Sequence, residues 1–114
     1  MHELSIALNI VEMAEQEARR RGGVHVSAVH LKIGPLAGVV KEALRFSYSV
    51  SCEGTMLEGS ELVIEETPAM IYCDSCEVER SLSSLQAFFC PVCRTPTSKV
   101  IGGRELELVA MEME

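Results

Sequence analysis

The sequence predicts an α+β fold: two helices on a small three-stranded sheet, with a four-cysteine module inserted between two of the strands. Three observations predict it. Apolar residues recur at three- and four-residue spacing over Glu3 to Arg21 and over Val40 to Ser51, the period of a helix with a buried side. Residues 24–33, 61–66 and 104–111 are rich in aliphatic and β-branched side chains and read as short strands. Two Cys-x-x-Cys pairs fall between the second and third of these strands, which makes the cysteine region an insertion in one sheet.

In the first helix Leu4, Ala7, Leu8, Val11, Ala14 and Ala18 form one apolar stripe, and Ile6, Ile10 and Met13 form a second beside it. The arc then covers more than half the circumference, which suits a helix sunk in a small core or one with an additional docking surface. Arg19 to Arg21 supply a cationic last turn, and Gly22-Gly23 a stop. In the first strand Val29, Leu31 and Ile33 alternate with Ala28, His30 and Lys32, and Gly34-Pro35 ends it. The second helix places Val40, Leu44, Ser47, Tyr48 and Ser51 on one face, widened by Ala43, Phe46 and Val50. Glu61 to Glu66 is a strand closed by Thr67-Pro68, and Arg104 to Met111 is a strand with Leu106, Leu108 and Ala110 on one side. The larger domain is therefore expected from residues 1–68 plus 103–114, and the module from 69–102, with hinges at Pro68 and Gly102-Gly103.

A length of 114 residues fits one domain with a small satellite, and 47% hydrophobic residues at a mean hydropathy of +0.19 argue for a folded chain. No run approaches the roughly 18 apolar residues that would suggest a membrane helix, and the His2-Glu3 opening does not resemble an export signal, so the cytoplasm is expected. A net charge of −7 repels phosphate backbones and disfavours nucleic acid as a partner. No Ser-His-Asp order or phosphate-cradling glycine loop points to an enzyme.

In a reducing compartment five cysteines suggest metal binding or redox chemistry more than disulfides. Cys73-Asp-Ser-Cys76 and Cys90-Pro-Val-Cys93 are separated by thirteen residues, and Cys52 stands apart as a small buried hydrophobe. Two such tight turns face to face complete a tetrahedron of sulfur, the donor set of a closed structural zinc site in a zinc-ribbon-like module. A module of this size buries little core, so metal would supply much of its folding energy. Iron in the same cage is the chemical alternative. A redox pair is disfavoured because neither Cys-x-x-Cys opens a helix after a strand. A nucleic-acid ribbon is disfavoured because Asp74, Glu77 and Glu79 cancel Arg80, Arg94 and Lys99.

Met1-His2-Glu3 is the second place where chemistry can sit. A free α-amine, a deprotonated backbone amide and an imidazole at position two close adjacent chelate rings, and planar nitrogen donors suit Ni(II) or Cu(II). His25 and His30 lie on or beside a strand and read as surface or hydrogen-bonded residues rather than ligands. Glu42 is a carboxylate within the second helix that reads first as a solvated residue.

The opening Met1-His2-Glu3-Leu4-Ser5, Lys32-Ile33-Gly34-Pro35-Leu36-Ala37-Gly38, Glu42-Ala43-Leu44-Arg45-Phe46, the two Cys-x-x-Cys pairs and Gly103-Arg104-Glu105-Leu106-Glu107-Leu108 occur in an order that resembles the HypA/HybF family of hydrogenase nickel-incorporation proteins. The resemblance spans the chain. It implies a nickel metallochaperone for NiFe hydrogenase, and in some bacteria urease, with nickel held by Met1, His2 and Glu3 and zinc by Cys73, Cys76, Cys90 and Cys93. It also implies a HypB-type GTPase and the hydrogenase large subunit as partners. The non-family alternative is a zinc-ribbon protein or nucleic-acid interaction module without a nickel role. Members of the family often carry Gly directly after the second cysteine of each pair, where positive φ is needed, whereas this chain has Glu77 and Arg94. The zinc module contains no histidine that could couple it to nickel.

Overall fold

The computed structural model describes residues 2–82, 84–85 and 87–114. The elements are α1 (Glu3–Arg20), β1 (Val26–Ile33), α2 (Lys41–Cys52), β2 (Glu61–Glu66), β3 (Met70–Cys73), β4 (Val78–Ser81), β5 (Val100–Gly102) and β6 (Leu106–Met113). They form two three-stranded sheets, ordered β2-β1-β6 and β4-β3-β5, and the expected α+β class is present. The chain divides into two compact units: Met1–Leu31, Gly38–Glu65 and Glu107–Glu114 in the first, Lys32–Ala37 and Glu66–Leu106 in the second. Among the described residues, no helix is long and apolar enough to cross a membrane.

In the first unit, α1 begins after His2, whose extended backbone lets its carbonyl accept the Ile6 N–H at 3.2 Å. The helix ends where Gly22 takes φ +73°. There Gly23 N–H donates to Ala18 O at 2.8 Å and Gly22 N–H to Arg19 O at 3.1 Å, the paired bonds of a glycine-terminated helix. The buried side consists of Ala7, Ile10, Val11, Ala14 and Ala18, and three alanines among five residues leave room for α2, which packs there. Leu4, Leu8 and Met13, placed on apolar stripes by periodicity, are half exposed instead, at 51%, 52% and 51%. The close seam on the alanines fixes which residues turn inward, and these larger side chains fall to its flanks.

α2 buries Leu44, Tyr48 and Cys52, a narrow stripe at four-residue spacing. Phe46 and Val50, expected to widen that face, point outward, with Phe46 72% exposed. The Tyr48 hydroxyl and Ser60 Oγ lie 2.6 Å apart, which satisfies the polar end of a buried ring. Cys52 is buried beneath them, and desolvation raises its thiol pKa, as befits an inert core residue.

Val26 N–H donates to Met56 O at one end of β1 and Ile33 O accepts from Thr67 N–H at the other, so β1 and β2 run in the same direction. Parallel neighbours require a crossover, and α2 supplies it. β6 runs antiparallel to β1: Val24 N–H donates to Glu114 O and Glu114 N–H to His25 O where β1 begins, while Gly34 N–H donates to Glu105 O where it ends. In β6 the half-buried residues are Leu106, Leu108, Met111 and Met113, so the expected alternation slips at Val109–Ala110 and Ala110 is exposed.

In the second unit β3 is central, paired antiparallel with β4 from Met70↔Ser81 to Cys73↔Val78 and with β5 through Ile71↔Val100. Its buried apolar residues are few: Ala69, Ile71, Cys73 and Cys90 beside Ile33. Gly34 and Gly103 let two backbones cross there, for a Cβ on Gly34 would collide with Gly103 O.

Candidate metal centre

The four cysteines are delivered by two turns. Cys73 ends β3 and Cys76 sits in the reversal to β4. Cys90 and Cys93 occupy a second reversal, closed by the Phe89↔Pro96 bridge and by Cys90 N–H donating to Thr95 O at 2.9 Å. All four Sγ atoms lie within 4.8 Å of one another, and Cys73 Sγ and Cys93 Sγ are 3.4 Å apart. An ion with sulfur at about 2.3 Å in a tetrahedron separates those sulfurs by about 3.8 Å, so the cage has the dimensions of a tetrahedral thiolate site. Among the described residues this is the one cluster of three or more His, Cys, Asp or Glu side chains able to hold a metal ion.

Each turn repeats one device. Cys76 N–H donates to Cys73 Sγ at 3.3 Å, and the N–H groups of Cys93 and Val92 face the Cys90 sulfur. Those donors pull the Cys90 thiol down to about 6. Cys93 is lowered as well, chiefly by the Thr95 hydroxyl 3.1 Å from its sulfur. At Cys73 the Cys76 N–H acts in the same sense, but burial and the three neighbouring sulfurs outweigh it and push the thiol up to about 11. Thiolates are the metal-ligating form, so lowered values ready two of the four for an ion, and a cation in the cage would draw off the remaining protons.

The residues after each pair settle a question left by the sequence. Glu77 adopts φ +56° and Arg94 φ +65°, the left-handed conformation that glycine takes without cost. Both turns therefore keep the knuckle backbone despite carrying side chains, and Arg94 N–H still donates to Cys90 O at 2.8 Å. Each such residue costs on the order of 1–2 kcal/mol. Arg94 recovers part of this by resting its guanidinium 6.0 Å from the centre of the Phe89 ring.

The other candidate residues lie in the first unit. His2 is exposed at the position before α1 and caps it with no side-chain hydrogen bond. Glu3 directs its carboxylate to the start of α2, where Val40 N–H donates to Oε2 at 3.2 Å and holds the carboxyl below its usual range. Glu42 is exposed in the first turn of α2. Met1 lies outside the described residues. His25 Nε2 is 3.1 Å from Glu58 O and His30 Nε2 is 2.8 Å from a Glu112 oxygen, so both histidines have local partners, as expected. Sequence reasoning missed the tether between Glu3 and Val40, which joins residues 37 positions apart and leaves no periodic signal. It also missed Arg80 beside the cage, which the alternation of β4 could have indicated had that strand been recognised.

Comparison with known proteins decides the family. Residues 1–113 match the family model described as hydrogenase/urease nickel incorporation, metallochaperone, hypA. The chain belongs to the HypA family. It is 53% identical over 112 residues to the hydrogenase maturation factor HypA of Chloroflexus aurantiacus, covering 98% of both chains. It is 45% identical over 114 residues to that of Roseiflexus sp. strain RS-1, covering all of this chain and 93% of the relative. In fold it is similar to the solution structure of the Ni metallochaperone HypA from Helicobacter pylori, with a TM-score of 0.68 at 20% identity, covering 99% of this chain and 97% of that one. HypA proteins are maturation factors rather than enzymes, and in this member four cysteines are grouped as a metal ion would require.

Proposed function

We propose that this chain is a nickel carrier that takes Ni(II) at its N-terminus through Met1, His2 and Glu3 and releases it during maturation of NiFe hydrogenase, or of urease. Cys73, Cys76, Cys90 and Cys93 hold zinc in a structural role. The observation that carries the reading is the start of α1: His2 stands exposed and extended, with its imidazole free of any cap, directly before a helix whose first residue is tied to α2. That tether fixes the first turn of α1 while His2 stays open to solvent. An amine, an amide nitrogen and an imidazole in one plane suit Ni(II), whereas an all-thiolate tetrahedron suits zinc. Cargo must exchange. An exposed His2 permits exchange, and a cage whose Cys73 and Cys90 are buried does not.

A cage of reduced cysteines belongs in a reducing compartment, and the chain is assigned to the cytoplasm. The recipients are a HypB-type GTPase and the hydrogenase large subunit. The module over residues 69–102 serves as a folding scaffold, and the domain formed by residues 1–68 and 103–114 carries the cargo. Because the amine, amide and imidazole all give up protons to the ion, nickel binding weakens on acidification.

The test is calorimetry with nickel on untagged zinc-loaded protein, on His2→Ala and on a form with Gly-Ser added before Met1. The expected result is one retained zinc throughout and loss of nickel binding in both altered forms. Unchanged nickel affinity in both would reject the proposal.

A further inference from the structure

The four clustered cysteines are unequally covered: Cys73 and Cys90 are buried, Cys76 is half-buried and Cys93 is exposed. Water and competing donors reach an exposed ligand first, so the lifetime of an ion in this cage turns on Cys93. Two hydroxyls stand in series behind its sulfur. Thr95 Oγ1 lies 3.1 Å from Cys93 Sγ, and Ser75 Oγ lies 3.1 Å from Thr95 Oγ1. Ser75 belongs to the first turn, between Cys73 and Cys76, whereas Thr95 follows the second turn, two residues past Cys93. The series therefore runs from one Cys-x-x-Cys turn to the exposed sulfur of the other.

The backbone holds Thr95 in place for this contact. Its carbonyl accepts the Cys90 N–H at 2.9 Å, and Pro96 after it confines its own backbone to the extended region. Branching at Cβ leaves the side chain few rotamers, which aims the hydroxyl. A hydroxyl both donates and accepts, whereas a metal-bound thiolate only accepts. With an ion in the cage the series has one consistent sense: Ser75 donates to Thr95, and Thr95 donates to Cys93. Hydrogen bonds arranged in such a chain polarise one another, and one that ends on a charged sulfur is of the stronger kind.

We propose that Thr95 and Ser75 form a hydroxyl clasp that closes the cage at Cys93 and slows exchange of its metal. Thr95 is the positioning residue on the sulfur, and Ser75 acts through it. A carrier needs such a device, because the scaffold ion has to stay while the cargo ion moves. The inference rests on the reading that the four cysteines hold a metal.

The experiment uses full-length, untagged wild type, Thr95→Val, Thr95→Ser, Ser75→Ala and the Ser75→Ala/Thr95→Val double variant. Each is loaded with zinc for transfer to an excess of chromophoric chelator, and with Co(II), whose charge-transfer band reports on sulfur. Removing a group that supports a ligand typically weakens metal binding 10- to 100-fold, and a loss near the low end, about 10-fold, is expected for Thr95→Val as faster zinc transfer. Its cobalt band should move to lower energy, because sulfur lone pairs relieved of a donor lie higher. Ser75→Ala should act in the same direction and more weakly, and should add nothing to Thr95→Val, since its only route to the sulfur has gone. Thr95→Ser keeps the hydroxyl and should restore both readouts.

A Thr95→Val protein whose band is unmoved and whose transfer rate is within about twofold of wild type would overturn the proposal. So would a serine variant as fast as the valine one, or single losses that multiply in the double variant, because both mark a packing role. If Thr95→Val fails to fold, Ser75→Ala at its exposed site decides alone: faster transfer with a shifted band supports the clasp, and neither change rejects it. Wild-type protein with no sulfur-to-cobalt band would overturn the metal reading itself, a failure distinct from that of the clasp.

Discussion

Replacing Glu77 by glycine should strengthen zinc binding, and the size of the gain follows from the backbone. At φ +56° Glu77 occupies a region that costs a residue with a Cβ on the order of 1–2 kcal/mol, and glycine removes that cost. Against it stands the greater freedom of glycine in the unfolded chain, about 0.4–1 kcal/mol. The side chain of Glu77 is exposed, so little else is lost. The net is a stabilisation of about 0.5–1 kcal/mol. Since folding of a small metal module is coupled to binding its ion, this appears as a zinc affinity raised about 2- to 5-fold.

Arg94→Gly relieves the same strain at φ +65° but gives up the contact with Phe89, worth about 0.5–1 kcal/mol at an exposed site, so its net effect should be near zero. Glu77→Val, with a β-branched side chain in the same conformation, should weaken binding. The assay is competition of each variant with a chromophoric zinc chelator at fixed pH. Loss of affinity in Glu77→Gly, or no difference between the glycine and valine variants, would refute the argument that this turn is held in a strained conformation.

Gly34→Ala drives a methyl group into the Gly103 carbonyl oxygen, and the Ala69 backbone packs close on Gly103 in turn, 2.7 Å from where a Gly103 Cβ would lie. A destabilisation of about 3 kcal/mol or more is expected, at the upper end for overpacking, visible as a fall of more than 10 °C in the melting temperature. Tyr48→Phe removes the partner of the Ser60 hydroxyl at 2.6 Å and should cost about 1 kcal/mol in urea denaturation without altering metal content. Glu105 accepts hydrogen bonds from the Thr67 hydroxyl and Gly103 N–H, which hold its carboxyl below the usual range. A lowered native value means the stabilisation is present at neutral pH and lost as pH falls below the ordinary carboxylate range and through the lowered value. The stability difference between wild type and Glu105→Gln should therefore shrink on acidification, which melting curves between neutral pH and roughly pH 3 will show.

Much of the first unit was legible because its signals are local and periodic. β2 falls at Glu61–Glu66 as read, and α1 and α2 fall within a residue of their expected bounds. What periodicity could not supply is which part of a wide apolar arc turns inward. On α1 that was decided by the alanines against α2, a tertiary effect that left Leu4 and Leu8 outside. The module was legible as a group of four cysteines and opaque as structure. The hairpin of the module is β3–β4, and it encloses the first cysteine pair. Strands of three and four residues carry too few alternations to be recognised, and their order is tied to the cage rather than to side-chain pattern. Glu77 and Arg94 taught the same lesson in reverse: residue type argued against a left-handed turn, and the geometry of the cysteine pairs imposed it.

The most direct measurement is X-ray absorption at the nickel edge on native, untagged protein loaded with one nickel after zinc has filled its own site. The account predicts a first shell of nitrogen and oxygen with a planar-site signature and no sulfur, erased by His2→Ala. A nickel shell dominated by sulfur, unchanged in that variant, would contradict it.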